Sequence, residues 1–269
     1  MLQTIVVPLD GSELSESALA VASELARRFD AGLTLMTSGW GSTVSELQAY
    51  LDDKGATLDV PALATLVQAD TFPASAIADA VAGTEAGIVM ATHGRSGLGK
   101  ALLGSVAEDV LKRTDRPVLL LGPACQAVQP RAGGVLIVPT DGGATSATIV
   151  DHAVEWSTAM DLSVRVVTAT RRDGTPVGGA TGDDLGDRLS AVESRFAQAG
   201  LAVQVERLAS GGDAAAAIVD LARTLPASMI AMATHGREGF ARTALGSTAM
   251  KVVHDAPCPV LVHRPAGTS

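Results

Sequence analysis

Residues 88–105 read IVMATHGRSGLGKALLGS, and residues 230–247 read IAMATHGREGFARTALGS. Each is an apolar run, then Ala-Thr-His-Gly, then nine residues, then Gly-Ser. His93 and His235 lie 142 residues apart, and so do Gly104 and Gly246. An apolar, β-branched run that ends at glycine predicts a buried strand. Gly94 and Gly236 then stand where the strand end turns into a loop. Gly104-Ser105 and Gly246-Ser247 come just before a helical pattern, where the serine is placed to cap the helix and leave backbone N–H groups available. A glycine-bounded loop that ends at a helix N-terminus suits phosphate: the backbone can come close, its N–H groups point one way, and the dipole favours an anion.

Upstream of the first copy the chain alternates strands and helices. Thr4 to Leu9 predicts the first strand, with Pro8 near its end, where not every ladder bond must be donated. Asp10-Gly11-Ser12 follows, then a helix with Leu14, Ala18, Val21, Leu25 and Phe29 on one face. Strands are expected at 33–37 and 64–68, with a polar, Gly-interrupted loop and one short helix over 38–62. Pro73 opens a helix to about Ala82, since proline is well placed at a first helical position. The strand at 88–92, a helix over 105–113 and a strand at 117–121 complete the half. GPACQAVQPRAGG, Gly122 to Gly134, breaks the pattern and reads as a linker, taken as 124–133 between domains 1–123 and 134–269.

The order then restarts. A strand at 135–139 leads to Asp141-Gly142-Gly143 and a helix carrying Ile149, Ala153, Trp156 and Met160. A strand is expected at 164–169, a mobile Gly-rich loop over 171–187, and a helix at 189–199. The strand 203–207, helix 214–224, strand 229–234, a helix from Ser247 and the strand 259–263 follow. Asp10 and Asp141 are 131 residues apart, eleven fewer than the histidines, so the second half carries about eleven extra residues, placed in that loop. Strands alternating with helices predict parallel sheets with right-handed crossovers and helices on both faces. The fold class is therefore α/β: two tandem doubly wound five-stranded sheets of order 3-2-1-4-5. In that order Asp10 and His93-Gly94 meet at the switch point, beyond the carboxyl ends of strands one and four, where such sheets bind ligands.

Composition narrows the classes. The 269 residues suffice for two domains with their own cores. A net charge of −9 argues against a nucleic-acid partner, which calls for a basic footprint. The apolar runs are short of the roughly 18–20 residues that cross a bilayer, and Met1-Leu2-Gln3 enters a strand-like run without a signal-peptide pattern. A cytoplasmic protein without a membrane partner is expected, with Cys125 and Cys258 as free thiols.

Several motifs are weighed for chemistry. Gly94 to Ala101, GRSGLGKA, approaches a Walker A loop, but Ala101 replaces the Mg²⁺-binding hydroxyl, and the second copy, with Ala241 and Arg242, lacks both the second glycine and the lysine. The match is taken as accidental. Asp10 and Asp141 read either as caps of the first helices or as ligand-binding groups. Their repetition beside the phosphate-type loop favours the second reading. His93 and His235 read as hydrogen-bonded structural residues. Arg95, Lys100, Arg237 and Arg242 read as solvated charges that could screen phosphate. Trp40 reads as packing, with stacking on a base as the alternative. There is no nucleophile elbow, no catalytic carboxylate pair and no metal-ligand spacing.

Val-Pro-x-Asp-Gly after strand one, seen as VPLDG at 7–11 and nearly as VPTDG at 138–142, together with A-T-H-G-x9-G-S after strand four, resembles the universal stress protein family, its ATP-binding branch. The resemblance covers nearly the whole chain, twice, and marks a tandem member. The family pattern G-x-x-G-x9-G-[ST] has Ala91 and Ala233 here at its first glycine. The resemblance implies an adenine nucleotide alpha hydrolase-like fold and ATP with Mg²⁺ as ligand. It implies binding positions at Pro8, Asp10, Ala91, His93, Gly94, Arg95, Gly104, Ser105 and Val106. In the second half they are Pro139, Asp141, Ala233, His235, Gly236, Arg237, Gly246, Ser247 and Thr248. The aspartates would bond the adenine or adjacent groups, and the glycine and serine backbone would hold phosphates. It also implies an intramolecular pseudo-dimer through the last strands, with a homodimer as a further option. The expected function is a nucleotide-dependent stress sensor or regulator with no catalytic residues. The alternatives are a slow ATPase or other adenine-nucleotide hydrolase or transferase, and a nucleotide-free interaction module.

Overall fold

The computed structural model describes residues 1–39, 42–93, 103–125, 133–177, 184–225, 227–234 and 245–265. The chain divides into two compact units, Met1–Pro123 and Ala124–Ser269. Trp40, Gly94, Arg95, Lys100, Ala101, His235, Gly236, Arg237, Ala241 and Arg242 lie outside the described residues, as do 126–132 of the expected linker.

Unit 1 runs β1 (Thr4–Pro8), α1 (Glu13–Glu16), α2 (Ala18–Phe29), β2 (Gly32–Gly39), α3 (Val44–Gly55), β3 (Leu63–Ala69), α4 (Pro73–Val81), β4 (Ala86–Ala91), α5 (Ser105–Arg113) and β5 (Val118–Leu121). Its strands are all parallel, in the order β3-β2-β1-β4-β5. Unit 2 runs β6 (Val135–Pro139), α6 (Ala144–Ala147), α7 (Val150–Met160), β7 (Ser163–Thr170), α8 (Asp184–Gln198), β8 (Val203–Ala209), α9 (Ala214–Thr224), β9 (Ala227–Ala233), α10 (Ser247–Asp255) and β10 (Val260–His263). It repeats the same order, β8-β7-β6-β9-β10. The predicted 3-2-1-4-5 order thus holds in each unit.

The apolar periodicity explains the packing. Val21, Leu25 and Phe29 of α2 are buried, as are Ile149, Ala153, Trp156 and Met160 of the matching stretch in unit 2. In each unit the helix after strand three packs on the helix after strand four, α4 on α5 and α9 on α10. β4 is buried at every residue, as a central parallel strand covered on both faces must be.

Four details differ from the sequence reading. The first helix of each unit is broken in two. In unit 1 the break is at Ser17, whose hydroxyl donates to Leu14 O at 2.6 Å. The short helix over 38–62 is a twelve-residue one, opened by a capping box in which Thr43 and Glu46 bond reciprocally. The start of the Gly-rich loop is pinned: Arg171 N donates to Thr175 O, Val177 N to Ala169 O, and Thr175 N to Asp173 Oδ1. α8 then begins at Asp184, inside the stretch expected to be loop. The extra residues are also not all in that loop. Strand pairing of Leu33 with Leu63 and of Val164 with Val203 puts nine of them there. Another belongs to the register shift beside Val135/Leu136 in the β6–β9 pairing.

Candidate functional site

β1 and β4 are hydrogen-bonded neighbours, with Val6 opposite Ile88. Their carboxyl ends therefore bring Pro8, Leu9 and Asp10 beside Ala91, Thr92 and His93. The chain leaves β1 and β4 toward opposite sides of this point, to β2 and to β5, and a cleft opens between. Cleft 1 has a volume of about 330 Å³. All the described candidate residues of unit 1, namely Pro8, Asp10, Ala91, His93, Gly104, Ser105 and Val106, line it. Cleft 2 occupies the same place in unit 2, with a volume of about 460 Å³. Pro139, Asp141, Ala233, Gly246, Ser247 and Thr248 line it.

The helix entrance corrects one expectation. Ser105 and Ser247 do not cap α5 and α10; they are the first residues inside them. The caps are Gly104 and Gly246, both extended and neither with a side chain to offer. The first intrahelical bonds are Glu108 N to Gly104 O and Met250 N to Gly246 O. The N–H groups of Ser105, Val106 and Ala107 thus have no partner among the described residues, nor do those of Ser247, Thr248 and Ala249. A side chain takes this role at α1, α3 and α9, capped by Ser12, Thr43 and Asp213, whereas α2, α4, α6 and α7 also have no side-chain cap. Among the described residues these three donors and the positive end of the helix dipole stay unmatched at the cleft.

Gly104 has a second, structural reason to be glycine. Its N–H donates to Thr92 O at 2.9 Å, tying the helix entrance to the end of β4. A Cβ at 104 would stand 2.4 Å from that same carbonyl oxygen. No side chain fits, whether or not phosphate is bound.

The aspartates face the cleft from the other side. Asp10 Oδ1 accepts from Ser12 N at 3.0 Å and from the Ser12 hydroxyl at 2.6 Å. Asp141 Oδ1 accepts from Gly143 N and from the Ser146 hydroxyl, each at 2.8 Å. Neither aspartate is the helix cap; that position is Ser12 or Gly143. One carboxylate oxygen braces the loop, and the residue still lines the cleft. His93 is buried, and its Nδ1 lies 2.9 Å from the Thr92 hydroxyl, which fits the structural reading. Among the described residues no three His, Cys, Asp or Glu side chains gather as a metal site.

The apolar linings were not foreseen. Met36, Leu47, Ile77 and Met90 line cleft 1, and Val167, Ala169, Val177, Ile218 and Met232 line cleft 2. They come from strand ends and facing helices far apart in sequence, and only the sheet order could have assembled them.

The universal stress protein family model matches residues 1–122 and 134–264. A universal stress protein of Mycolicibacterium smegmatis is 28% identical over 187 residues, 66% of this chain and 61% of its own length. The chain thus spans less than two thirds of that relative. A universal stress protein of Methanocaldococcus jannaschii is 31% identical over 137 residues, 47% of this chain and 79% of its own. Among solved structures, a universal stress protein from Archaeoglobus fulgidus aligns with 97% of the chain and 98% of its own, at 19% identity and a TM-score of 0.66. That likeness is one of fold.

Proposed function

The chain belongs to the universal stress protein family, and from that premise we propose that each unit binds one adenine nucleotide, ATP with Mg²⁺, in a nucleotide-dependent stress sensor or regulator. The observation that carries this reading is the pair of uncapped helices, α5 and α10. Each turns three backbone donors toward a cleft at the switch point of its sheet. Phosphate oxygens would accept from those N–H groups, and the apolar lining would take the base. Asp10 and Asp141 would bond the adenine or adjacent groups. Mg²⁺ would enter with the triphosphate, since it keeps most of its ligands as water and phosphate oxygen.

The same proposal covers the setting and the assembly. No described helix is long and apolar enough to cross a membrane. Burial pushes the Cys258 thiol up to about 12, so it stays protonated. A cytoplasmic place is part of the same proposal. The pairing of the two last strands as an internal pseudo-dimer, and any homodimer, remain parts of the proposal for hydrogen exchange and sedimentation to decide.

The test is calorimetry of the full chain with Mg-ATP. Proline at a first helical position removes its N–H without disturbing the helix, and Gly104 and Gly246 already have the extended ψ, 151° and 158°, that a following proline requires. The parent is expected to bind two equivalents. The double variant Ser105→Pro/Ser247→Pro is expected to weaken both sites roughly tenfold to a hundredfold, while Ser105→Ala/Ser247→Ala, which keeps both N–H groups, stays within a few-fold. Undiminished affinity in a folded proline variant would refute the reading. A single-turnover assay for released phosphate separates the sensor from the slow ATPase.

A further inference from the structure

β3 is the outer strand of unit 1: it pairs with β2 on one side, and no described strand pairs with the other. The pairing fixes which backbone groups face out. Leu33 N donates to Ala62 O and Asp70 N to Gly39 O, so the even-numbered residues of this segment turn their backbone groups to β2. Bonding alternates along the strand, and Leu63, Thr65, Val67 and Ala69 turn theirs outward. Among the described residues none of those four N–H groups has a partner. Of the four carbonyls only that of Ala69 has one, the Thr71 hydroxyl. No residue of β3 is buried, and Leu63 is 42% exposed.

Edge strands are ordinarily guarded by charge, proline or a bulge, because a row of open donors and acceptors takes up a strand that fits it. β3 reads LATLVQA, without a charge or a proline, and pairs from Leu33/Leu63 to Gly39/Ala69 without a register shift. β8, the outer strand of unit 2, reads VQVERLA and carries Glu206 and Arg207. Val164 N donates to Ala202 O, so the odd-numbered residues face out there too. The two edges answer differently to a copy of themselves. Antiparallel pairing about a two-fold axis at the middle residue sets Leu66 of β3 opposite its own copy, Thr65 opposite Val67 and Leu63 opposite Ala69. Every outward residue then meets an outward residue, Thr65 and Val67 form a β-branched cross-strand pair, and no charges meet. The same operation on β8 sets Glu206 opposite its own copy, and like charges directly across a ladder oppose pairing.

We propose that the outer edge of β3 is an interaction surface for a second copy of this chain, joined antiparallel about a two-fold axis at Leu66. The occupant is a copy because the edge complements itself in both hydrogen bonding and charge, whereas the edge of unit 2 does not. A two-fold contact uses the same edge on both partners, so it closes at two chains and does not grow into a fibre. The ladder supplies partners to the N–H groups of Leu63, Thr65, Val67 and Ala69, and Leu66 packs on its copy across the axis. The contact needs no nucleotide in either cleft, so it stands or falls apart from the ligand proposed above.

The experiment is sedimentation velocity of the full chain, without nucleotide, over a rising range of protein concentration. The parent is expected to pass from one chain to two. Val67→Pro removes one outward N–H and leaves the bonds to β2, a place where an edge strand accepts proline. It is expected to stay a single chain where the parent is a dimer, with unchanged circular dichroism. Leu66→Lys and Leu66→Glu each put like charges across the axis and are expected to stay single chains alone. Mixed in equal amounts, they are expected to pair with each other. A parent that stays a single chain, a dimer kept by Val67→Pro, or a mixture that pairs no better than its components would each overturn the proposal. Should these variants not fold, hydrogen exchange of the parent decides. The amides of Thr65 and Val67 are expected to slow as concentration rises, while those of Ala64 and Leu66, already bonded to β2, keep their rates. Rates at Thr65 and Val67 that do not change with concentration would overturn the surface.

Discussion

Cleft 1 and cleft 2 agree at one end and differ at the other. At the helix end both have an extended glycine cap, a serine at the first helical position and three N–H groups without a partner among the described residues. Elsewhere the linings keep Pro8/Pro139, Asp10/Asp141, Ser15/Ser146, Ile77/Ile218, Met90/Met232 and Ala91/Ala233, and differ at a few positions. The floor at the end of strand one is Leu9 in unit 1 and Thr140 in unit 2, whose hydroxyl accepts from Gly142 N and meets that of Ser146. The next helix begins at Phe72, 71% exposed, in unit 1. In unit 2 it begins at Asp213, whose other oxygen pairs with Lys251 of α10 at 2.6 Å. Past strand two, Leu47 of α3 lines cleft 1, whereas the pinned turn after β7 brings Val177 to cleft 2. What the halves share is a backbone device, the aspartate and part of the apolar lining, and what they vary is the remainder of the lining. A phosphate interaction made by backbone tolerates such drift; recognition of the rest of a ligand does not.

The largest expected effect comes from breaking the shared end one unit at a time. Ser105→Pro removes one donor from cleft 1 and Ser247→Pro one from cleft 2. A hydrogen bond to a charged group contributes about 1.5–3 kcal/mol, so each variant is expected to weaken one of two ATP equivalents roughly tenfold to a hundredfold. Calorimetry would show one site moved and one kept. Equal loss at both sites from a single change would mean that the clefts do not act as independent copies.

Substitution of Gly104 reads a different quantity. The 2.4 Å approach to Thr92 O makes Gly104→Ala an overpacked, strained variant. It is expected to cost unit 1 about 1–3 kcal/mol in urea unfolding, with or without ATP. Loss of ATP binding in a glycine variant would therefore not by itself report on phosphate, which is why proline at 105 is the cleaner probe. If Gly104→Ala unfolds at the parent's urea concentration, the close approach is not rigid.

How far the sequence could carry this depended on the kind of signal. Period and punctuation placed the strands, and for α5 and α9 the bounds match residue for residue. The length of α3 was written in Thr43-x-x-Glu46 yet hidden by the polar residues around it. The identity of the helix caps was not legible. Serine is a good cap anywhere, and only the bond from Gly104 N to the end of β4 moves the cap back one residue. The aspartates could be flagged by repetition. That one oxygen of each braces its own loop depends on a fold that puts Ser12 and Ser146 within reach.

A smaller effect is expected from the nine-residue loops. Residues 95–100 read RSGLGK and residues 237–242 read REGFAR, so the second loop adds Glu238 and has Ala241 for a glycine. A carboxylate near a triphosphate is a like-charge contact on the order of 1 kcal/mol, reduced by salt. Cleft 1 is therefore expected to bind ATP more tightly. With Ser105→Pro silencing cleft 1, Glu238→Ser should tighten cleft 2 several-fold at low salt and less at high salt. No gain would remove loop charge as the source of inequality.

The smallest effect leaves neutral pH untouched and separates the units by titration alone. The chain has one tyrosine, Tyr50 of α3, whose hydroxyl donates to Glu16 Oε1 at 3.0 Å in unit 1. Burial first, then the Glu16 hydrogen bond and charge, raise its pKa above the ordinary 10. A raised phenol pKa means that the folded state holds its proton where the unfolded state releases it. Its stabilising contribution is thus complete below pH 10 and is lost as pH climbs from there toward the folded value. Alkaline difference absorbance near 295 nm should show this single phenol ionising later than free tyrosine. Glu16→Gln removes the carboxylate charge and should bring ionisation earlier without bringing it back to 10, because the larger cause, burial, remains. The unit 1 unfolding transition should fall through this pH range, and Tyr50→Phe should abolish that part of the fall. Ionisation at the ordinary value in the folded parent would mean that Tyr50 is not held against Glu16.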